Sequence, residues 1–373
     1  MMDRLEELLE RHVDDGTVPG AVAVIGRVEP HIVSAGAAAI GGATLRGDEI
    51  FRIQSMTKAI TTVAALRLVE AGRLELDGSV EPWLPELSKR RVLSSPTAEL
   101  SDTASAVRPI TLRHLLANAS GYGAAMVESP LQRAMDTNGT AGGAESPSMG
   151  ADEWLGRLAE LPLAFHPGEG WRYHHSFGIL GILLSRVTAQ PLGEFLEGDL
   201  FEPLGMQDTG FWVPEGKLDR LPASYRHDGG GLTEIEPAGE GFYADAPPFD
   251  VSHEELVSTA ADYHRFLRLL TSGGLIDGHR LLSAQHVEMM TTDQVPAANK
   301  TPDSFFPGFW NGMGWGFGVA VHTTGPCKGR YGWSGGLGTD FFVDPDGSIS
   351  ILMTQVEIGE QVRSLMNEFV ELA

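Results

Sequence analysis

The alternation of apolar and polar residues divides the chain into three stretches. The first segment, MMDRLEELLERHVDDG, has the charged and apolar spacing of an amphipathic helix. GAVAVIGRV and HIVSAGAAAI follow as two short apolar strands across a turn at Glu29-Pro30. From Ser55 to about Ala71 an almost wholly apolar run predicts a helix, stopped by Gly72. RLELDGSVEPWLPEL is broken by Gly and Pro and predicts loops, and PITLRHLLANASG predicts a short helix capped by Thr111 and closed by Gly121. Residues 122–150 are rich in Gly, Ala, Ser, Thr and Asn without a sustained period, which predicts a long loop or flap. FGILGILLSRVTAQPLGEFLEGDLFEPLG is helical with breaks at Pro191 and Pro203; LVSTAADYHRFLRLLTSGG and SAQHVEMMTT predict two further helices. From about Gly314 the pattern turns to strands: WGFGVAVHT, GRYGWSGG, TDFFVDP and SISILMTQV, with a turn at Pro345-Asp346-Gly347, before a closing helix at RSLMNEFVELA.

Strands at both ends with helices between them predict an α/β (α+β) class. An antiparallel sheet domain would be built discontinuously from residues 1–75 and 230–373 and flanked by the terminal helices. A mainly helical subdomain, residues 76–229, would be inserted, with the active site between the two.

Composition narrows the function. A chain of 373 residues can bury a large core. Its formal net charge of −23 argues against a nucleic-acid partner and against an anionic membrane surface. Cys327 is the single cysteine, so no intrachain disulfide or thiolate metal cluster is possible. The N-terminal segment lacks the apolar core of a signal peptide and no run has the length of a membrane span, so a cytoplasmic location is expected. Oligomeric state is not legible.

Candidate chemistry begins at FRIQSMTKAI. Ser55 and Lys58 are three residues apart, hence neighbours on one helix face. A lysine among Ala, Ile, Val and Leu is costly unless its amine is used. Desolvation lowers the pKa of such an amine and makes it a base for a serine hydroxyl. A serine at a helix start also has backbone N–H groups and the positive dipole end available for an oxyanion. About one Ser-x-x-Lys match arises by chance in a chain of this length, so the pair alone decides nothing.

The surrounding stretches decide more. IFRIQSMTKAITTVAALRLVEAGRLELD, ITLRHLLANASG, LPLAFHPGEGWRYHHSFGILGILLSRVTAQPL, FEPLGMQDTGFWV, LVSTAADYHRFLRLL, GGLIDGHRLLSAQHVEMMTTDQ and YGWSGGLGTDFFVDPDG resemble, in order, the class C β-lactamase-like serine hydrolases, closest in pattern to family VIII carboxylesterases. The resemblance implies a β-lactamase/transpeptidase-like fold, catalysis by Ser55, Lys58 and Tyr173, and an oxyanion hole from the N–H groups of Ser55 and Gly336. In HPGEGWRYHHS, Tyr173 stands at the tyrosine of the family's Tyr-x-Asn motif and His175 at its asparagine, a departure that bears on amide recognition. Trp333-Ser334-Gly335 stands where β-lactamases have Lys-Thr-Gly, which favours esters over β-lactam carboxylates. His175, Trp333, Ser334 and Gly335 are thus the expected substrate contacts, and Trp310, Trp315 and Trp333 with the 122–150 loop an apolar pocket wall.

Three other motifs lack the context their chemistry needs. GWSGG satisfies Gly-x-Ser-x-Gly, yet a strand rather than a helix is predicted after Ser334. HEELV at His253 lacks the second histidine of a zincin motif, and DPDG at Asp344 lacks the later ligands of a calcium loop. His174 and His175 have no third ligand at a recognisable spacing, so no metal and no cofactor is expected. The expected activity is cleavage of small carboxylic esters through an acyl-enzyme. β-Lactamase, D-amino-acid peptidase or amidase and acyltransferase activities share the same apparatus, and a penicillin-binding sensor that acylates and stalls is the rival of another class.

Overall fold

The computed structural model describes residues 2–124, 128–142 and 148–373. Seven strands form one antiparallel sheet: β1 (Gly20–Gly26), β2 (His31–Gly36), β3 (Met313–Trp315), β4 (Ala320–His322), β5 (Tyr331–Gly335), β6 (Thr339–Val343) and β7 (Ile349–Met353). Their spatial order is β3-β4-β5-β6-β7-β1-β2, so the N-terminal hairpin continues the C-terminal meander. Val22 faces Met353 across the β1–β7 junction and Ser334 faces Asp340 across β5–β6.

Both faces of the sheet are covered, which is why its strands are nearly continuous apolar runs. Side chains alternate along β1. Ala21, Ala23 and Ile25 meet Leu5, Leu9, Leu365 and Phe369 of the terminal helices Met2–Asp14 and Glu360–Leu372. Val22 and Val24 belong to the larger core with Ile60 and Val63 of helix Thr57–Glu70 and Tyr263 and Phe266 of helix Ala260–Thr271. Helix His175–Thr188 continues this core through Phe177, Leu180 and Leu184.

The helix predicted from Ser55 is a 3₁₀ turn, Gln54–Met56, running into the α-helix Thr57–Glu70. Thr111 caps helix Leu112–Leu116 as expected, with His114 completing a reciprocal capping pair. Within 122–150, the expected loop in fact contains helix Pro130–Asn138. Ser129 caps it, Pro130 occupies its first turn, Leu131 and Met135 bury one face, and Gly139 in the left-handed conformation ends it. Residues 125–127 and 143–147 of that segment lie outside the described residues. Among the described residues, no helix is long and apolar enough to cross a membrane.

Candidate active site

Four segments meet at Ser55, the last of them the bend that carries Tyr173. The first is its own turn. Arg52, wholly buried, donates through Nη1 to the carbonyl of Pro222 (2.7 Å) and to Gln355 Oε1 (3.0 Å), and through Nε to Glu236 (2.9 Å). This fixes the entry to the turn. Gln54 then takes a positive φ of 49°, a conformation that costs a non-glycine residue about 1–3 kcal/mol. It is held there by its Nε2 donating to Tyr243 Oη at 2.9 Å.

The second segment is 250–256, threaded between the helices that begin at Thr57 and His175. Ile53 N–H donates to the Leu256 carbonyl (3.0 Å), Leu256 N–H to Thr57 Oγ1 (3.1 Å), and Ser252 Oγ to the Phe177 carbonyl. The third is β5, which ends against the turn. A Cβ on Gly335 would lie 2.4 Å from the Ile53 carbonyl oxygen and 2.3 Å from Thr339 Oγ1, so only glycine permits this approach. Thr339 Oγ1 donates to the same Ile53 carbonyl at 3.2 Å.

Lys58 has no solvent exposure, and its Nζ donates to Ser55 Oγ at 3.0 Å and to the carbonyl of His253. Burial brings its pKa down to about 7, with the charge of Glu254 acting in the opposite direction. Tyr173 is hydrogen-bonded to Ser55, accepts from Trp333 Nε1 at 2.6 Å, and lies with its ring 4.5 Å from Lys58 Nζ. Burial raises the pKa of its phenol; the bonds from Ser55 and Trp333 act against that rise. Tyr173 precedes His174, whose φ of 95° is again unusual for a non-glycine residue. Ala124 N–H to the Tyr173 carbonyl (3.0 Å) and Arg172 N–H to the Asn118 carbonyl (2.9 Å) secure this bend.

The structure therefore brings Ser55, Lys58 and Tyr173 together, with Trp333 behind the phenol. Gly336 follows β5 directly beside the Ser55 turn. Ser334 lies within β5, its hydroxyl donating to Asp340 at 2.8 Å, and a turn and β6 follow rather than a helix. His175 is wholly buried at the start of its helix; Nε2 meets the Thr140 carbonyl at 2.7 Å and the ring stacks with Trp154 at 6.2 Å. Burial lowers the pKa of this imidazole to about 4.

Trp315 and Trp333 sit 4.8 Å apart, and Trp171 adds contacts to Trp315 (5.5 Å) and Trp310 (5.1 Å). Phe305 lies 5.2 Å from Tyr173 and 6.1 Å from Trp333. The sequence singled out three tryptophans here; Trp171, Phe305 and Phe309 join them. His253 and Glu254, set aside as an incomplete zincin motif, also arrive at Lys58. Glu254 is buried, which raises its pKa to about 8.

The comparisons agree with this architecture. The beta-lactamase family model matches residues 5–371. Protein Rv1367c of Mycobacterium tuberculosis is 34% identical over 83% of this chain and 78% of its own length. Esterase EstB of Burkholderia gladioli is 30% identical over 94% of this chain and 89% of its own. The solved structure of EstCE1, described as a hydrolase with promiscuous acyltransferase activity, superposes with a TM-score of 0.81 at 24% identity, covering 99% of this chain and 98% of that one. A match that runs nearly from end to end, on a fold that assembles the Ser-x-x-Lys pair, makes this chain a member of the beta-lactamase family.

Proposed function

We propose that the protein is a serine hydrolase that cleaves small carboxylic esters through an acyl-enzyme on Ser55. The observation that carries this reading is the buried Lys58 amine 3.0 Å from Ser55 Oγ, with the Tyr173 phenol on the same hydroxyl. As the hydroxyl attacks the ester carbonyl, its proton passes to Lys58, the group whose charged form burial disfavours. A phenol whose pKa is raised holds its own proton and is suited to deliver one to the departing alkoxide. The backbone N–H groups of Ser55 and Gly336 would receive the oxyanion, each such donor stabilising the transition state by about 3 kcal/mol. Water then releases the acid by the reverse proton movements. The cleft would lie between the sheet domain, residues 1–75 and 230–373, and the helical segment 76–229.

Two features favour esters. The β5 edge presents the Trp333 indole, not a cation that would hold a β-lactam carboxylate. The aromatic wall of Trp171, Phe305, Trp315 and Trp333 suits an apolar acyl or alcohol group. The relative named an esterase, EstB, is in keeping with this. His175, turned to the Thr140 carbonyl, has no part in the proposed substrate contacts.

The test is a panel of p-nitrophenyl acetate and butyrate, nitrocefin and a D-alanyl amide on wild type, Ser55→Ala and Ser334→Ala. The expected result is ester turnover that vanishes in Ser55→Ala and survives in Ser334→Ala, with a phosphonate probe labelling Ser55. A dominant amide rate, or labelling at Ser334, overturns the reading.

A further inference from the structure

The sequence offered His174 without a third ligand and HEELV without its second histidine, and the fold joins the two remainders. We propose that His174, His253 and Glu254 form a binding site for one divalent cation of the zinc class. His253 Nε2 lies 3.2 Å and His174 Nε2 3.8 Å from Glu254 Oε1. One ligand atom from each of the three residues falls within 4.8 Å of the others. A tetrahedral cation bonded at zinc distances separates its ligand atoms by about 3.3 Å, so two of the pairs already stand near the required spacing. Two imidazoles with one carboxylate are the donor set of zinc and cobalt, whereas calcium and magnesium take oxygen ligands.

The site is built into the interior. His174, His253 and Glu254 are 7%, 3% and 6% exposed, and His174 Nε2, aimed at the cluster, has no hydrogen-bond partner among the described residues. A buried polar atom left in that state carries an uncompensated desolvation cost, which a metal bond removes. The rings are also held in place. A Cβ on Gly142 would lie 2.4 Å from the His174 ring, and one on Gly178 would lie 2.7 Å from His253 Nδ1, so glycine backbone closes over both imidazoles. Lys58 uses the main-chain carbonyl of His253, leaving its imidazole to Glu254. Such a cation would tie the bend after Tyr173 to segment 250–256, the two pieces that reach Lys58 through the Tyr173 ring and the His253 carbonyl.

Metal-stripped protein is titrated with Co²⁺ and then Zn²⁺. The expected result is one equivalent of Co²⁺ with the intense visible absorption of low-coordinate cobalt, displaced by one equivalent of Zn²⁺. X-ray absorption of the zinc-loaded wild type should show two imidazoles and one carboxylate. His253→Ala and Glu254→Gln should weaken binding by at least about 100-fold, and His279→Ala, on an exposed hairpin, should leave it unchanged. Absence of Co²⁺ uptake by the wild type, a spectrum with no imidazole ligands, or unaltered binding in both ligand variants overturns the proposal. The wild-type measurements decide the matter even where a variant fails to fold.

Discussion

Replacing Trp333 by Phe removes one donor from the proposed catalytic phenol and little else. The indole Nε1 donates to Tyr173 Oη at 2.6 Å, at the short end for such a bond, and the tyrosine is partly buried against the aromatic wall. If Tyr173 gains negative charge as it delivers its proton, the lost bond is one to a charged group, worth about 1.5–3 kcal/mol. If it stayed a neutral bystander, the loss would be about 0.5–1.5 kcal/mol. Trp333 is only half-buried, so water partly replaces the donor and the low end of the first range applies. At 1.36 kcal/mol per decade, kcat for p-nitrophenyl butyrate should fall about 10- to 30-fold, with KM moving less. Phenylalanine retains most of the ring packing on Trp315, and Trp310→Phe serves as the control. Its Nε1 donates to Ser304 at 2.8 Å, in the same aromatic group but away from the phenol, and kcat should change by about twofold at most. A Trp333→Phe enzyme within twofold of wild type would refute a charged role for Tyr173. Equal losses in the two variants would assign the effect to packing alone.

The approach of β5 to the Ser55 turn predicts that Gly335→Ala, whose Cβ meets the Ile53 carbonyl, lowers both thermal stability and kcat. Gly336→Ala should fold normally, its nearest neighbour being Gln54 Oε1 at 3.6 Å; equal melting temperatures for the two variants would contradict this contact. Glu236→Gln leaves the buried Arg52 charge short of its partner and should cost about 3 kcal/mol in urea unfolding, reduced from the fully buried case by Glu236's partial exposure. His114 predicts a pH dependence. Burial brings its pKa down to about 4 from the usual 6.5, with Arg108 acting in the same direction, while Nδ1 accepts the Thr111 N–H. The unfolded chain therefore binds the proton first: stability is full above pH 6.5 and is lost as pH falls toward 4. The loss should be about 1–2 kcal/mol once partial exposure is allowed for, and urea midpoints of His114→Gln should fall less steeply over that window. A parallel decline in wild type and variant would exclude His114 as the cause.

The pattern of apolar runs located the sheet and the large helices because each is bounded by Gly, Pro or a cap and is long enough to show its period. GAVAVIG is unbroken because both of its faces are covered, and MDRLEELLERHVD shows a stripe because only one face is. Helix Pro130–Asn138 has a Ser-Pro start and a glycine stop but no visible period, since it buries only Leu131 and Met135 amid polar residues. The pairing of Phe51–Arg52 with Val257–Ser258 was also out of reach, because two-residue strands have no period. At the site, Ser55 and Lys58 were legible from their spacing on one helix, and Tyr173 only through the resemblance of its surroundings. The contact between Lys58 and His253 spans 195 residues of sequence, and no local spacing records which loop the fold returns to an amine. His174 and His253 each resemble failed motifs until topology sets them beside each other.

Lys58 is one of five lysines, and it is the one sealed from solvent; Lys89, Lys217, Lys300 and Lys328 all reach the surface. Reagents that attack amines from water will find those four and pass over the fifth. Coupling this protein to a solid support through its amines should therefore spare the proposed reacting centre, and an immobilised preparation should keep the amine that contacts Ser55.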